Sequence, residues 1–448
     1  MFVVALIGFV VVVVWGLFNP FIGLLGLLAV NTFQPGELWK FFQVIHAERV
    51  MVLVVAFSWL INRGFKLEIP TITKRILLLW FVMFLSVPFS PIFRMGALLA
   101  ALDFGKIIIY HVVTVNLVTT SRRLWVFVIA FALIMGGVAA WGSYLYWTGD
   151  VQIRSTGIGE ETVQRALVAN SNFANSNALG LALAFGLPFA VLLIFGEAIP
   201  IRILGAVTAV LITTTLVLTA SRVAFFTFLF MVGVAVLSLK RRVVFGVLAF
   251  VILILTWLLM PQEHRDRYLS IGSLGQDTAY QARVYCRQAG LAMIRDYPIL
   301  GVGIGQFGNA NGSRYWPGGQ MMWFEAHNLY IQVPAEIGFV GAVAFTMFVW
   351  QVFGDNRRLR RSLREVPKCP VWFRYLPLVC LSVLFGHLLS GWSAHTMTRD
   401  SWYLIAAIIA AQMGIVKREF GVAADVPATA PAHRGDTRID RQEVVTQP

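Results

Sequence analysis

Charge is scarce in this chain. Asp, Glu, Lys and Arg make up 13% of its 448 residues, against 58% that are hydrophobic. Soluble domains carry about a quarter charged residues, so an aqueous globular class is excluded and a polytopic membrane protein fits. Mean hydropathy is +0.75. Acidic residues are the scarcer kind, 22 against 36 basic ones, for a net charge of +14. No basic stripe is interleaved with aromatics, so nucleic acid is not an expected partner. Cysteine occurs three times, at 286, 369 and 380, without metal-ligand spacing or the makings of a disulfide framework. There is no H-E-x-x-H, no paired-aspartate motif and no G-x-S-x-G elbow, so neither a metal centre, a bound cofactor nor a serine hydrolase is expected. The first apolar run lacks a basic leader and an A-x-A site, and reads as a retained segment.

What is present is long apolar runs. A bilayer core takes about 20 residues of helix. Candidate spans lie near 48–61, 76–93, 100–118, 124–147, 178–195, 203–219, 223–239, 243–260, 329–352, 375–391 and 401–416. Residues 2–33, interrupted at Asn19-Pro20, add either one broken crossing or a hairpin of two; one crossing is the favoured reading, for about twelve spans with both ends on one side. The fold class expected is therefore an all-α polytopic membrane protein. Residues 1–260 hold the first membrane helices, 261–328 a large outer loop with short helices, 329–416 the last helices, and 417–448 a disordered tail rich in Ala, Pro and charge. Six segments, 62–75, 119–123, 196–202, 240–242, 353–374 and 417–448, hold 22 of the 36 Lys and Arg residues and share one side if the spans alternate. By the positive-inside rule that side is cytoplasmic.

The outer loop breaks that rule. It carries Arg265, Arg267, Arg283, Arg287, Arg295 and Arg314 and no lysine. Arginine forks grip phosphate and carboxylate at two points, which implies an anionic substrate; the competing reading is salt bridging to Glu263, Asp266, Asp277, Asp296 and Glu325 nearby. Residues 279–296 have helical character, with Arg283 and Arg287 one turn apart on a shared face. Pro298 ends that helix, and glycines follow at 301, 303, 305 and 308 without a Walker GK[ST]; a tight turn or buried backbone crossing is favoured over a phosphate cradle. Arg222, in the TASR turn at 219–222, sits between two spans, where a charge is costly and functional by default, with snorkelling as the alternative.

The stretch FEAHNLYIQVPAEIGFVGAV at 324–343 places His327 at the outer mouth of a span. An imidazole there can act as a base or hydrogen-bond donor. Asn328, Gln332 and Glu336 recur every fourth residue and form one stripe facing the bundle interior or a wet cavity, and Pro334 is expected to kink the helix. The polar run at 170–180 reads as helix capping, and Arg49, Lys106, His395 and Arg399 as structural or snorkelling residues on the outer side.

The order TASR, then QARVYCRQAGLAMIRDYPILGVGIGQF, then EAHNLYIQVPAEIGFVGAV resembles the O-antigen ligase and O-antigen polymerase superfamily, which includes the lipid A-core surface polymer ligases and O-glycosylation ligases associated with exosortase systems. The pattern HN-x-Y-x-Q-x-x-x-E-x-G with P-x-L-G-x-G carries the likeness over about residues 160–350 and does not separate ligase from polymerase. The resemblance implies a GT-C-like, metal-independent glycosyltransferase of the bacterial inner membrane, with its active site facing the periplasm. Its donor would be a glycan on undecaprenyl diphosphate. Its acceptor would be lipid A-core for a ligase, a second lipid-linked repeat for a polymerase, or a protein hydroxyl for an O-glycosylation ligase. The positions matching the family's essential residues are Arg222, Arg283 and His327, with Arg287, Asn328, Tyr330 and Gln332 expected to bind substrate. The chemistry of the residues agrees: a diphosphate leaving group needs its developing charge held, and guanidinium forks can do this.

Two other classes compete. A transporter of anionic lipid-linked sugars would also use arginines, but near the bilayer midplane rather than in an outer loop. A non-catalytic assembly subunit would tolerate substitution of His327.

Overall fold

The computed structural model describes residues 2–63, 67–149, 165–168, 173, 175–269, 278–316, 323–366 and 368–421. Among them the chain is helical with no strand, an all-α polytopic membrane protein. Seven helices are at least 18 residues long and apolar enough to cross a bilayer, and the helices Phe2–Phe18, Pro20–Phe33 and Arg222–Leu237 are apolar but shorter. Each expected span between 48 and 416 has its helix. The Arg242–Leu259 helix buries none of its residues and turns Val, Leu and Phe side chains outward all round, as a lipid-facing helix does. Most of the expected tail, 422–448, and part of the 170–180 run lie outside the described residues. Of that run, Asn175 caps the Ser176–Leu193 helix by accepting from the Asn177 amide.

Three local departures have physical reasons. Residues 2–33 form a hairpin rather than one broken crossing. Gly16 lies against Gly23 and Gly26 against Val12, an antiparallel pairing in which glycine lets the two backbones approach. The Asn19 side chain caps the second helix, and Pro20 opens it without losing a bond it could have made. Residue 2 therefore lies at the same end of the bundle as 33–47, opposite to the favoured reading of one crossing.

Next, the basic run 356–364 is not a loop. The helix from Leu329 continues to Glu365, with Asn356, Leu359 and Leu363 buried and the Asn356 amide donating to the Pro377 carbonyl at 3.0 Å. Charge stops a helix from sitting in lipid, but not from extending beyond it.

Finally, that helix breaks at Gly338, with φ 65° and ψ −170°, and not at Pro334. The break frees backbone groups that must be paired, and the glycine-rich segment supplies the partners. Phe339 and Val340 donate to the carbonyls of Pro298 and Ile299 at 2.8 and 3.3 Å. Val302 and Gly303 donate to Ala335 and Glu336 at 2.9 and 2.8 Å. Two chains cross here with no room between them. A Cβ on Gly338 would stand 2.1 Å from the Ile299 oxygen, and one on Gly301 2.4 Å from the Glu336 carbonyl carbon. The glycines thus form the buried backbone crossing, and the amides of 302 and 303 are used by it.

Candidate active site

The crossing fixes the long loop onto the bundle. Its main helix, Thr278–Asp296, packs Cys286, Ala289 and Met293 into a small core with Val302, Phe307 and Ala335. Gly290 lies directly on Ile331. With that face committed to packing, Arg283 and Arg287 stand on the helix as neighbours one turn apart. The Arg287 guanidinium donates to the Trp392 carbonyl at 3.3 Å.

His327 sits in a turn that its neighbours hold on both sides. Its φ is 47°, a left-handed conformation that a non-glycine residue keeps only when surrounding contacts impose it. After it, the Asn328 side-chain Oδ1 accepts from the amides of Tyr330 and Ile331 at 3.0 and 3.2 Å, an N-cap, while its Nδ2 donates to Trp392 O at 3.2 Å. Leu329 N donates to Gly391 O at 2.7 Å, and the Tyr330 hydroxyl to Leu388 O at 2.6 Å. Before it, Glu325 accepts from Gln332 Nε2 at 2.5 Å, and the same amide reaches Glu336 at 3.0 Å. Asn328, Gln332 and Glu336 are all buried, so the stripe does face inward. The Asn328 and Gln332 amides and the Tyr330 hydroxyl brace the His327 turn through these bonds, and the buried Gln332 Oε1 has no partner among the described residues.

The electrostatics follow from this packing. Burial pushes the His327 imidazole down to about 4, and the nearby Arg283 and Arg287 guanidiniums push it the same way. His395 is pushed down to about 3 by burial, then by Arg399 and His327. Its ring centroid lies 6.1 Å from that of His327. Burial raises Glu325 to about 7, partly offset by the Gln332 amide. At neutral pH the site therefore presents two neutral imidazoles beside guanidiniums. An anion bound there would offset the arginines and restore basicity to His327.

Arg222 belongs to a second basic cluster. Its Nε donates to Arg267 O at 2.9 Å, and Arg267 Nε returns to Ala220 O at 3.3 Å. Ala220 has φ 45°, and Ser221 caps the Arg222–Leu237 helix. Buried Arg165 donates to Thr219 O at 2.9 Å and to Asn177 at 3.0 Å, and Ser221 Oγ reaches the same Asn177 oxygen at 2.8 Å. Arg165 was not legible: it sits among polar residues between spans, and only tertiary packing buries it. Salt bridging does account for Arg295, which pairs with Asp296 at 3.0 Å, while Arg314 donates to the Tyr297 hydroxyl at 3.0 Å.

Residues 207–346 match the family model described as O-Antigen ligase. The chain is also 30% identical over 112 residues to the Exopolysaccharide production protein ExoQ of Rhizobium meliloti (strain 1021). That match covers 23% of this chain and 26% of the relative, so the likeness spans about a quarter of the relative's length. The family match contains Arg222, Arg283, Arg287, His327 and Gln332.

Proposed function

We propose that this chain, whose residues 207–346 match the O-Antigen ligase family model, is an inverting, metal-independent glycosyltransferase. In this reading it moves an O-antigen glycan from undecaprenyl diphosphate to lipid A-core, at the periplasmic face of a bacterial inner membrane. The observation that carries it is the placing of Arg283 and Arg287 beside a neutral His327 at the end of an apolar helix bundle.

The chemistry runs as follows. The guanidiniums of Arg283 and Arg287 hold the donor diphosphate, and Arg222, in its own basic cluster, is proposed to contribute to the same anion. The acceptor hydroxyl oxygen attacks the anomeric carbon from the face opposite the diphosphate. Its proton passes to His327. The anomeric C–O bond breaks, and undecaprenyl diphosphate leaves with its charge held by the same guanidiniums. The proton transfer contributes about 10²–10⁴-fold when well placed. A donor tail between the helices explains why the site lies at a bundle end. Tyr330, Asn328 and Gln332 act in this scheme by holding the His327 turn.

The likeness to a protein named for exopolysaccharide production supports a second reading, a polymerase whose acceptor is another lipid-linked repeat. Loss-of-function strains separate the two. Loss of a polymerase leaves single repeats on the core; loss of a ligase leaves long lipid-linked glycan and bare core. Substitution of Arg283 by Ala and of His327 by Ala, each retaining full transfer at normal protein level, would refute both.

A further inference from the structure

The hairpin of residues 2–33 and the connection that follows it close a concavity lined by none of the residues placed in the transfer site. The cleft has a volume of about 160 Å³, room for on the order of ten waters. Val30, Phe42 and Ala47, all buried, line its apolar part. The Phe42 ring is braced edge-on by Phe9 and Phe41, with centroids 5.4 and 5.5 Å away. Two different helices bring cations to the same cleft: Arg49 from Ala47–Arg63 and Lys106 from Arg94–Leu117. Asn31 Nδ2 donates to Asp400 at 2.6 Å, so this is the end of the bundle that also carries the last connection.

The backbone around the cleft is held, not slack. Gln34 and His46, which both line it, have φ 48° and 49°. Among the described residues the other non-glycine positions with positive φ are Ala220 and His327, one in each cluster of the candidate active site. Such conformations persist only where the surrounding structure imposes them, and they collect at functional sites.

The surroundings indicate what reaches the cleft. Leu99, Leu102 and Ile109 are 54, 51 and 43% exposed, and with Asp103 and Lys106 they make one outward stripe on their helix. In a membrane protein such a stripe meets lipid. Lys106 pairs with Asp103 at 2.7 Å, an exposed bond of little worth, and Arg49 has no side-chain partner among the described residues. Two cations beside an apolar pocket, within reach of a lipid-facing stripe, suit an amphiphile whose anion is a phosphate ester. Guanidinium and ammonium donate to its oxygens, and its tails lie on the stripe. Free phosphate would gain nothing from either apolar surface. Glu48 lines the cleft too; a carboxylate there suits a headgroup that also carries hydroxyls or an ammonium.

We propose that this cleft binds the phosphodiester headgroup of a membrane phospholipid, held by Arg49 and Lys106. The assignment does not rest on the transferase reading. A lipid bound here ties the 34–49 segment to the Arg94–Leu117 helix. That helix supports the glycine crossing, since a Cβ on Gly303 would stand 3.2 Å from Ala97 Cβ and one on Gly305 2.8 Å from Ala100 Cβ. Lys106 lies about 9 Å along the axis from Ala100.

The test is lipid binding to the purified full chain, stripped of lipid in detergent and read by native mass spectrometry. Dioleoylphosphatidylglycerol should occupy one saturable site. Arg49→Gln and Lys106→Gln should each weaken that site by about tenfold, as for loss of a charged hydrogen bond. Lys74→Gln with Arg122→Gln removes as much charge from the opposite end of the bundle and should change nothing. Dioleoylglycerol, which lacks the phosphate, should not occupy the site; inorganic phosphate and glycerophosphoglycerol, which lack the tails, should not displace the lipid at equal concentration. Equal affinity in the wild type and the Arg49→Gln, Lys106→Gln double variant would overturn the proposal, as would equal binding of dioleoylglycerol. Displacement by either tail-free probe would assign the cleft to a soluble phosphate and overturn the lipid. A second measurement needs no variant: phosphatidylglycerol with a photoreactive headgroup should label residues 30–49 and 102–109 of the wild type, and labelling confined to other segments would also overturn it. Binding as expected in a chain that transfers no glycan would leave the lipid site standing and remove only the transferase reading.

Discussion

Gly338→Ala should damage this protein far more than an alanine at a glycine normally does. In an exposed helix interior, Gly→Ala stabilises by about 0.5–1 kcal/mol, because it reduces the freedom of the unfolded chain. Gly338 has φ 65° and ψ −170°, a region open essentially only to glycine. Adopting it with a Cβ costs about 1–3 kcal/mol. The new atom would also stand 2.1 Å from the Ile299 oxygen and 2.4 Å from the Leu300 nitrogen, both backbone. Relief of that clash requires the 298–303 segment to move off the helix. Up to four backbone hydrogen bonds go with it, each worth about 1 kcal/mol net. Together these give a loss of about 3–6 kcal/mol. The assay is thermal and SDS unfolding of the purified chain in detergent, followed by tryptophan fluorescence. Gly137→Ala is the control, since a Cβ there meets nothing within 4 Å; it should be neutral or slightly stabilising. A Gly338→Ala variant as stable as the control would refute the crossing as the link between loop and bundle.

Three further outcomes are expected. Asn328→Ala removes the cap on Tyr330 and Ile331 and the bond to Trp392, and should cost about 1–2 kcal/mol of stability by the same unfolding assay. Glu325 has its folded value raised to about 7 from an ordinary 4.5, so its contribution is fully present below about pH 4.5 and lost as pH rises through 7; Glu325→Gln should flatten the fall in melting temperature between pH 5 and 8. His327 is lowered from 6.5 to about 4, so the unfolded state binds more protons between those values and stability falls as pH drops across that window. For the same reason the acid limb of kcat/KM should lie well below pH 6.5, and Arg283→Gln, which removes one of the lowering charges, should move it upward.

The spans were legible because lipid imposes length and apolarity on each helix, and those are local properties. The site was legible in part. Arg283, Arg287 and His327 could be grouped because helix periodicity and the placing of a polar turn at a span mouth are also local. What escaped depends on contacts between distant segments. Pro334 looked like the kink, yet loss of its own amide is tolerated, and the break falls at Gly338, where a segment nearly forty residues upstream passes. Asn328 and Gln332 were expected to bind substrate; that their amide nitrogens also bond Trp392, Glu325 and Glu336 is seen only in the fold. His395 and Arg165 had no signal beyond being polar near a membrane end; only the packing of the last connection and of the TASR turn reveals what each faces. The same holds for residues 2–33, where glycine spacing at 16, 23 and 26 marks the hairpin only once the pairing is seen.

The central claim is that His327 and the paired arginines carry out glycosyl transfer. Its most direct test uses the purified chain in detergent with synthetic undecaprenyl-diphosphate glycan, lipid A-core and EDTA, and reads glycan on the core by gel. Product formed in EDTA, lost by about 10²-fold or more in His327→Ala and in Arg283→Gln, is the predicted result. Undiminished product from either variant would contradict it.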